Sequence, residues 1–250
     1  PHQYKPLLTL LESPANGILI ADEVGLGKTI EAGLIWTELR ARFDMRRLLV
    51  ICPAMLREKW RDELMIRFGI NARIMSAKDL LDDLKRPKSS TGDGEAWIAS
   101  YQSLRPPKDF RSTKDNIKKP SARRLFCDFL EENSESDELL DMVIFDEAHY
   151  MRNEDSAVNT LGNLVRDISD YLVLLSATPI NLNNNDLFNL LRLTDPDHFR
   201  DPYDFADMID ANKPLIKARD LVLSKNLTLE ELMLSLNDAK CKNLLKDSYQ

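Results

Sequence analysis

The stretch Gly17-Ile-Leu-Ile-Ala-Asp-Glu-Val-Gly-Leu-Gly-Lys-Thr-Ile-Glu-Ala-Gly-Leu-Ile35 decides the fold. Gly17–Ala21 is a short, continuously apolar run, the pattern of a strand buried on both faces. The glycine-rich turn that follows opens a helix from Lys28 to about Phe43. A strand, a glycine-rich turn and a helix, in that order, form the context a phosphate-binding loop requires. Gly25 and Gly27 let backbone N–H groups turn inward on phosphate oxygens, and the helix N-terminus adds partial positive charge. Lys28 can reach β- and γ-phosphates, and the Thr29 hydroxyl can bind Mg²⁺. Glu23, Val24, Leu26 and Ile30 complete the candidate nucleotide-binding segment. The general pattern has Gly five residues before the Gly-Lys pair, whereas this chain has Asp22 there.

Outward from this stretch, the rhythm repeats. Leu48–Cys52, Ala72–Met75, Ala96–Ser100, Met142–Phe145 and Tyr171–Leu175 read as further strands, and Ala54–Arg67 as a second helix. Near-continuous apolar strands separated by helices imply a parallel sheet covered on both faces, an α/β fold. Lys85–Glu95 is polar and turn-rich, a surface loop. Arg105–Asp141 looks like a charged insertion. Arg105–Arg124 holds eight basic and two acidic residues, and Asp128–Asp141 holds seven acidic and no basic ones. Such a split reads as a solvated excursion, or as a basic half that contacts phosphates. After Asn181 the strands stop. Asp186–Leu193, Tyr203–Ala211, Pro214–Leu223, Leu229–Leu236 and Ala239–Lys246 read as short helices, with Thr228 and Glu231 in a capping-box pattern. This organisation suggests one lobe over 1–194 and an α-helical appendage over 195–250.

Composition narrows the function classes. The 250 residues are 43% hydrophobic and 30% charged, an ordinary globular balance. No apolar run approaches the roughly 18 residues of a membrane span. Cys52, Cys127 and Cys241 are far apart with no CxxC spacing, which fits a reducing cytoplasmic setting rather than disulfides or zinc. The net charge of −7 gives no bulk attraction to nucleic acid but leaves room for a local basic groove. The chain opens at Pro1 without a leader and reads as a piece of a longer protein.

Two more segments carry chemistry. Met142-Val-Ile-Phe-Asp-Glu-Ala-His149 is an apolar strand that delivers Asp146 and Glu147 to its carboxyl end, where open α/β sheets bind ligands. Asp146 suits a Mg²⁺ ligand acting through water, and Glu147 suits the base that orients and deprotonates an attacking water. Leu175-Ser-Ala-Thr-Pro179 ends another strand with small residues. Ser176, Ala177 and Thr178 could bridge His149 to whatever senses the nucleotide state. Trp36, Trp60 and Trp97 read as packing residues rather than base-stacking platforms, and His198 as a turn residue.

The three segments, in this order and spacing, resemble the first RecA-type lobe of superfamily-two helicase-like ATPases, specifically the Swi/Snf-related translocases. Within that group the bacterial RapA-like branch is the nearest in pattern, through Ala21–Ile35, Pro1-His-Gln3 and Arg192-Leu-Thr-Asp-Pro-Asp-His-Phe199. The resemblance accommodates Asp22, since that group's phosphate loop carries Asp at the position. It implies a RecA-like P-loop NTPase lobe using ATP and Mg²⁺, with Gln3 reading adenine. It implies that Cys52-Pro53-Ala54 and Ser100-Tyr101-Gln-Ser103 touch a nucleic-acid strand. It further implies movement on duplex DNA, remodelling of protein–nucleic-acid complexes, and RNA polymerase as a partner. The family completes its site with a second RecA-type lobe that supplies arginine fingers. No second set of strand-ending motifs follows Pro179, so the chain alone is expected to bind Mg·ATP and hydrolyse it slowly. Alternatives within enzymes are a strand-separating helicase or the motor subunit of a restriction or phage-defence system. A small-molecule kinase has no use for the His149 and Ser176–Thr178 coupling pattern. A non-catalytic module does not explain an intact Lys28, Thr29, Asp146 and Glu147.

Overall fold

The computed structural model describes residues 2–21, 27–88, 92, 94–108, 110–111, 120–134, 139–177, 184–223 and 229–241. The chain forms two compact units, Pro1–His198 and Phe199–Gln250.

In the first unit the order is α1 (Lys5–Glu12), β1 (Gly17–Ile20), α2 (Lys28–Phe43), β2 (Arg47–Cys52), α3 (Arg57–Phe68), β3 (Ala72–Ile74) and α4 (Ala77–Leu84). It continues with β4 (Glu95–Ser100), α5 (Tyr101–Leu104), α6 (Ala122–Glu132), β5 (Leu140–Asp146), α7 (Ala157–Arg166), β6 (Ser169–Leu175) and α8 (Asn184–Thr194). Single 3₁₀ turns cover His2–Tyr4, Ala54–Leu56 and Ala148–Met151. The strands form one sheet in the order β1-β6-β5-β2-β4-β3, and every pair is parallel. Leu48 pairs with Met142 and Ile20 with Leu175. The parallel sheet anticipated from the strand pattern is therefore present, with all six expected strands in place.

Side chains alternate between the two faces, as strand geometry demands. Leu48, Val50, Cys52, Met142, Ile144, Val173 and Leu175 pack under α1, α2 and α3, with Ile35, Trp36, Leu39, Trp60 and Leu64. Leu49, Ile51, Val143, Phe145, Leu172 and Leu174 pack under α4–α8, with Trp97, Phe126, Leu161 and Leu190. Burial on both faces is why these strands read as continuous apolar runs rather than alternating ones. Trp36, Trp60 and Trp97 are all buried.

The solvated reading of 105–141 is corrected for its described helical part. Ser121 caps α6 by accepting from the Arg124 N–H, and Phe126, Cys127 and Leu130 are fully buried against the sheet. Arg124 itself is buried, 3.6 Å from Asp128. Leu140 and Asp141 already belong to β5. The Asp141 carboxylate accepts from the Arg46 and Arg47 N–H groups at 2.7 and 2.6 Å and pairs with Lys88 at 2.8 Å. Its charge thus ties adjacent strands together.

The second unit also differs from expectation. Instead of several short helices it holds α9 (Pro202–Leu223) and α10 (Leu229–Cys241), which pack on each other. Helix α9 runs through Pro214. A proline there removes one ladder hydrogen bond and crowds the preceding turn, and packing along α10 offsets that local penalty. Thr228 of the expected capping box lies outside the described residues.

Candidate active site

All six strands run the same way, so the loops after β1, β2, β4, β5 and β6 emerge at one edge of the sheet. At that edge β1 leads into α2, whose first residues Lys28, Thr29 and Ile30 are described. Asp22 and the expected contacts Glu23, Val24, Gly25 and Leu26 lie outside the described residues. Gly27 caps α2 with φ 98°, a conformation that strains any side chain. A Cβ added there would stand 2.6 Å from the Gln3 amide nitrogen. The 3₁₀ turn His2–Tyr4 thus brings Gln3, 24 positions earlier in the chain, against the start of α2.

Helix α2 and strand β5 meet around a cleft of about 430 Å³. Its wall includes Lys28 and Thr29 from α2, Asp146 and Glu147 from the end of β5, and Ala177 after β6. Ser176, buried beside it, donates its N–H to the Ile20 carbonyl at 3.0 Å and joins the ends of β1 and β6. Thr178 lies outside the described residues. Cations that can meet phosphate and carboxylates that can meet a metal therefore share one opening.

The Asp146 carboxylate is held at both oxygens. The Trp60 indole N–H donates to Oδ2 at 2.8 Å and the Glu147 N–H donates to Oδ1 at 2.9 Å. Below it, the buried Tyr101 hydroxyl donates to the Asp146 carbonyl at 2.8 Å. Burial, then the negative charge of Asp146, pushes the Tyr101 phenol well above its ordinary value, so it stays a donor. Cys52, at the end of β2, is pushed up to about 12 by burial and then by Asp146, with Arg57 opposing.

Glu147 adopts the left-handed conformation at φ 56° and ψ 48°. A non-glycine residue there stores roughly 1–3 kcal/mol of strain, which clusters at functional positions. The twist turns its carboxylate toward His149, whose Nδ1 lies 3.1 Å from Oε2. That is ion-pair distance without hydrogen-bond alignment, and Nδ1 is buried with no hydrogen-bond partner among the described residues. The His149 ring packs on Tyr150 at 4.6 Å, and Tyr150 packs on Tyr101 at 5.6 Å.

The structure brings Gln3, Gly27, Lys28, Thr29, Ile30, Asp146, Glu147, His149, Ser176 and Ala177 to this edge. Pro53 and Ala54 lie at the same edge in the turn before α3, with Ala54 exposed. Ser100 and Tyr101 are placed differently from what a hydroxyl contact to nucleic acid needs. Ser100 is buried and caps α5 through a capping box with Ser103, and Tyr101 is committed to Asp146. Sequence reasoning missed the contribution of α3. Leu56, Lys59, Glu63 and Arg67 line the cleft, and Arg67 sits 3.6 Å from Glu63. Lys59, Glu63 and Arg67 recur every fourth residue, a spacing that places them on one helix face. A larger cleft of about 560 Å³ at the amino ends of β1 and β6 is lined in part by Leu193–His198 of the Arg192–Phe199 segment and by none of the candidate nucleotide-site residues.

A family model, the SNF2-related domain, matches residues 2–246. The chain belongs to the SNF2-related domain family. Among SNF2-related relatives, it is 28% identical over 253 residues to the RNA polymerase-associated protein RapA of Yersinia enterocolitica (serotype O:8 / biotype 1B), covering 98% of this chain and 24% of that protein. It is 29% identical over 245 residues to RapA of Yersinia pestis (strain Pestoides F), covering 94% and 22%. The chain thus spans about a quarter of the length of these curated relatives. Its fold is similar to the Sulfolobus solfataricus SWI2/SNF2 ATPase core domain, with TM-score 0.54 and 19% identity over 96% of this chain and 42% of that one. The same core in complex with dsDNA gives TM-score 0.53 and 20% identity over 95% and 42%. The resemblance drawn from the motifs and the RecA-like fold both agree with these findings.

Proposed function

We propose that the chain is the ATP-binding lobe of a Swi/Snf-type, nucleic-acid-dependent ATPase motor that moves on duplex DNA and remodels protein–DNA complexes. The cleft that joins Lys28 and Thr29 to Asp146 and Glu147 carries this reading. The residues fit Mg·ATP: Gly27 lets the Gln3 amide close on the start of α2, and basic groups that suit phosphate share the wall with carboxylates that suit a metal. Lys28 would hold the β- and γ-phosphates, Gln3 would read adenine, and Thr29 and Asp146 would hold the metal, the latter through water. Bound Mg²⁺ would offset charge on the phosphoryl oxygens. Glu147 would orient and deprotonate the attacking water. His149, Ser176 and Thr178 would link nucleotide state to a track gripped in part by Pro53 and Ala54.

A second RecA-type lobe would supply the arginine fingers, each worth roughly a thousandfold or more in turnover. Residues 1–194 would form the ATP-binding lobe, with 195–250 leading toward the second. The relatives named as RNA polymerase-associated make RNA polymerase a candidate partner in a bacterial-type cytoplasm, and the dsDNA-bound fold neighbour favours duplex DNA as the track. No helix among the described residues is long and apolar enough to cross a membrane.

The test is ATP turnover by the full-length protein with no nucleic acid, duplex DNA, single-stranded DNA and RNA in parallel. Stimulation by duplex DNA supports the motor. Stimulation only by single strands supports a strand-separating helicase or a related defence-system motor instead. Lys28→Ala is expected to abolish nucleotide binding, and unchanged binding would remove Lys28 from the site.

A further inference from the structure

The geometry points to Trp60 as a positioning residue for the metal: its indole N–H fixes the Asp146 carboxylate in the orientation that the nucleotide's Mg²⁺ requires. This inference rests on the nucleotide reading above.

Trp60 lies in the second turn of α3 and is 2% exposed. Pairing the one N–H of a buried indole spares it a desolvation cost, and the partner here is Asp146 Oδ2 at 2.8 Å, 86 positions away in the chain. The opposite oxygen takes the Glu147 N–H at 2.9 Å. With one lone pair of each oxygen engaged, the carboxylate plane cannot rotate freely, and the remaining lone pairs are left for metal-bound waters. Groups that orient metal-binding side chains in this way usually change metal affinity when removed.

The surroundings make the bond specific. Lys59, Trp60 and Glu63 from α3 meet Thr29 and Asp146 around one small recess. Trp60 is therefore the point at which α3 grips the metal side of the cleft. The chain supplies its own comparison in Trp36, a residue of α2 that is also 2% exposed. Its indole N–H is buried without a hydrogen-bond partner among the described residues. Exchanging either tryptophan for phenylalanine removes similar bulk, but only at Trp60 does it remove a hold on a carboxylate.

The experiment uses the 250-residue chain and a fluorescent ATP analogue, titrated in EDTA and at stepped Mg²⁺ concentrations. Mn²⁺ binding to the protein–nucleotide complex is followed by electron paramagnetic resonance. Trp60→Phe should leave affinity in EDTA unchanged and raise the Mg²⁺ and Mn²⁺ concentrations needed for half-effect by on the order of tenfold. Trp36→Phe should leave both unchanged. Adding Trp60→Phe to Asp146→Asn should cause no further loss, because the two changes remove one function. Benzothienylalanine at position 60 replaces the N–H by sulfur with nearly the same shape, and it should reproduce the Trp60→Phe result if the phenylalanine variant folds poorly.

An unchanged metal response in a folded variant overturns the inference. So does an equal loss of affinity with and without metal, or a full additional loss in the double variant, since either assigns Trp60 to packing alone. A parent chain that binds no nucleotide in any condition overturns the nucleotide reading itself. A parent that binds normally beside an unaffected Trp60→Phe variant overturns only the role of Trp60.

Discussion

Gly33→Ala sets two calculable effects against each other. Gly33 sits one turn after Thr29 in α2, and a Cβ there would meet the Phe68 ring of α3 at 2.2, 2.3 and 2.8 Å. Alanine in mid-helix gains about 0.5–1 kcal/mol over glycine. Forcing extra volume into a packed contact costs about 1–3 kcal/mol. The Phe68 ring is only partly buried and can give way to some extent, so the low half of that range applies. The net is a loss of about 1 kcal/mol, or about 2–4 °C in Tm for a unit of this size. Thermal unfolding of the chain by circular dichroism reads it. Phe68→Leu removes two of the three offending atoms, so the double variant should recover about 1 kcal/mol relative to the sum of the singles. A rise in Tm for Gly33→Ala alone would refute the reasoning. It would mean that α2 and α3 are not held this close, and that the cleft wall built by Lys59, Glu63 and Arg67 is not where the structure puts it.

Other outcomes follow from the same geometry. Glu147→Gly should raise stability by about 1 kcal/mol by relieving the left-handed strain, while abolishing ATP turnover in the full-length protein. A lowered Tm would show that the Glu147 side chain contributes more to folding than its backbone costs. Arg47→Ala removes a buried guanidinium that binds Glu95 at 3.3 Å and the Arg86 carbonyl at 2.6 Å and lies over the Trp97 ring. The urea midpoint should fall by the equivalent of about 3 kcal/mol, and a change under 1 kcal/mol would contradict the network. Burial lifts Cys52 and Cys127 from an ordinary 9.0 to about 12. Folded pKa values are thus raised, so the stability they contribute is present below pH 9.0 and lost as pH rises toward 12, where only the unfolded chain's thiols ionise. Both thiols should resist iodoacetamide at pH 8 until urea unfolds the protein, and rapid labelling of either in the native state would contradict their burial.

Much of the frame was legible in residues alone. Six apolar runs became six strands because a parallel sheet covered on both faces requires continuous apolar sequence. Helix α2 begins at Lys28 because Gly27 supplies a backbone conformation that permits the turn. Asp146 and Glu147 reach the edge that holds the candidate site because they end an apolar strand. Helix α6 was hidden because its buried residues, Phe126, Cys127 and Leu130, stand among charges that point elsewhere. Local composition does not say which side of a helix finds a sheet. Pro214 marked a break that packing between α9 and α10 overrode.

The sequence by itself determined the six strands, their parallel arrangement and the edge that holds the candidate site, because these follow from periodicity and from glycine's freedom at one turn. Only the tertiary structure decided that β6 and β5 stand between β1 and β2, that Gln3 lies against Gly27, and that α3 walls the cleft and holds Asp146 through Trp60. The Gln3–Gly27 and Trp60–Asp146 contacts join residues 24 and 86 positions apart, and the β1–β6 pairing joins residues farther apart still, Ile20 to Leu175. They depend on how helices settle over a shared sheet, where burial of whole faces outweighs any local preference.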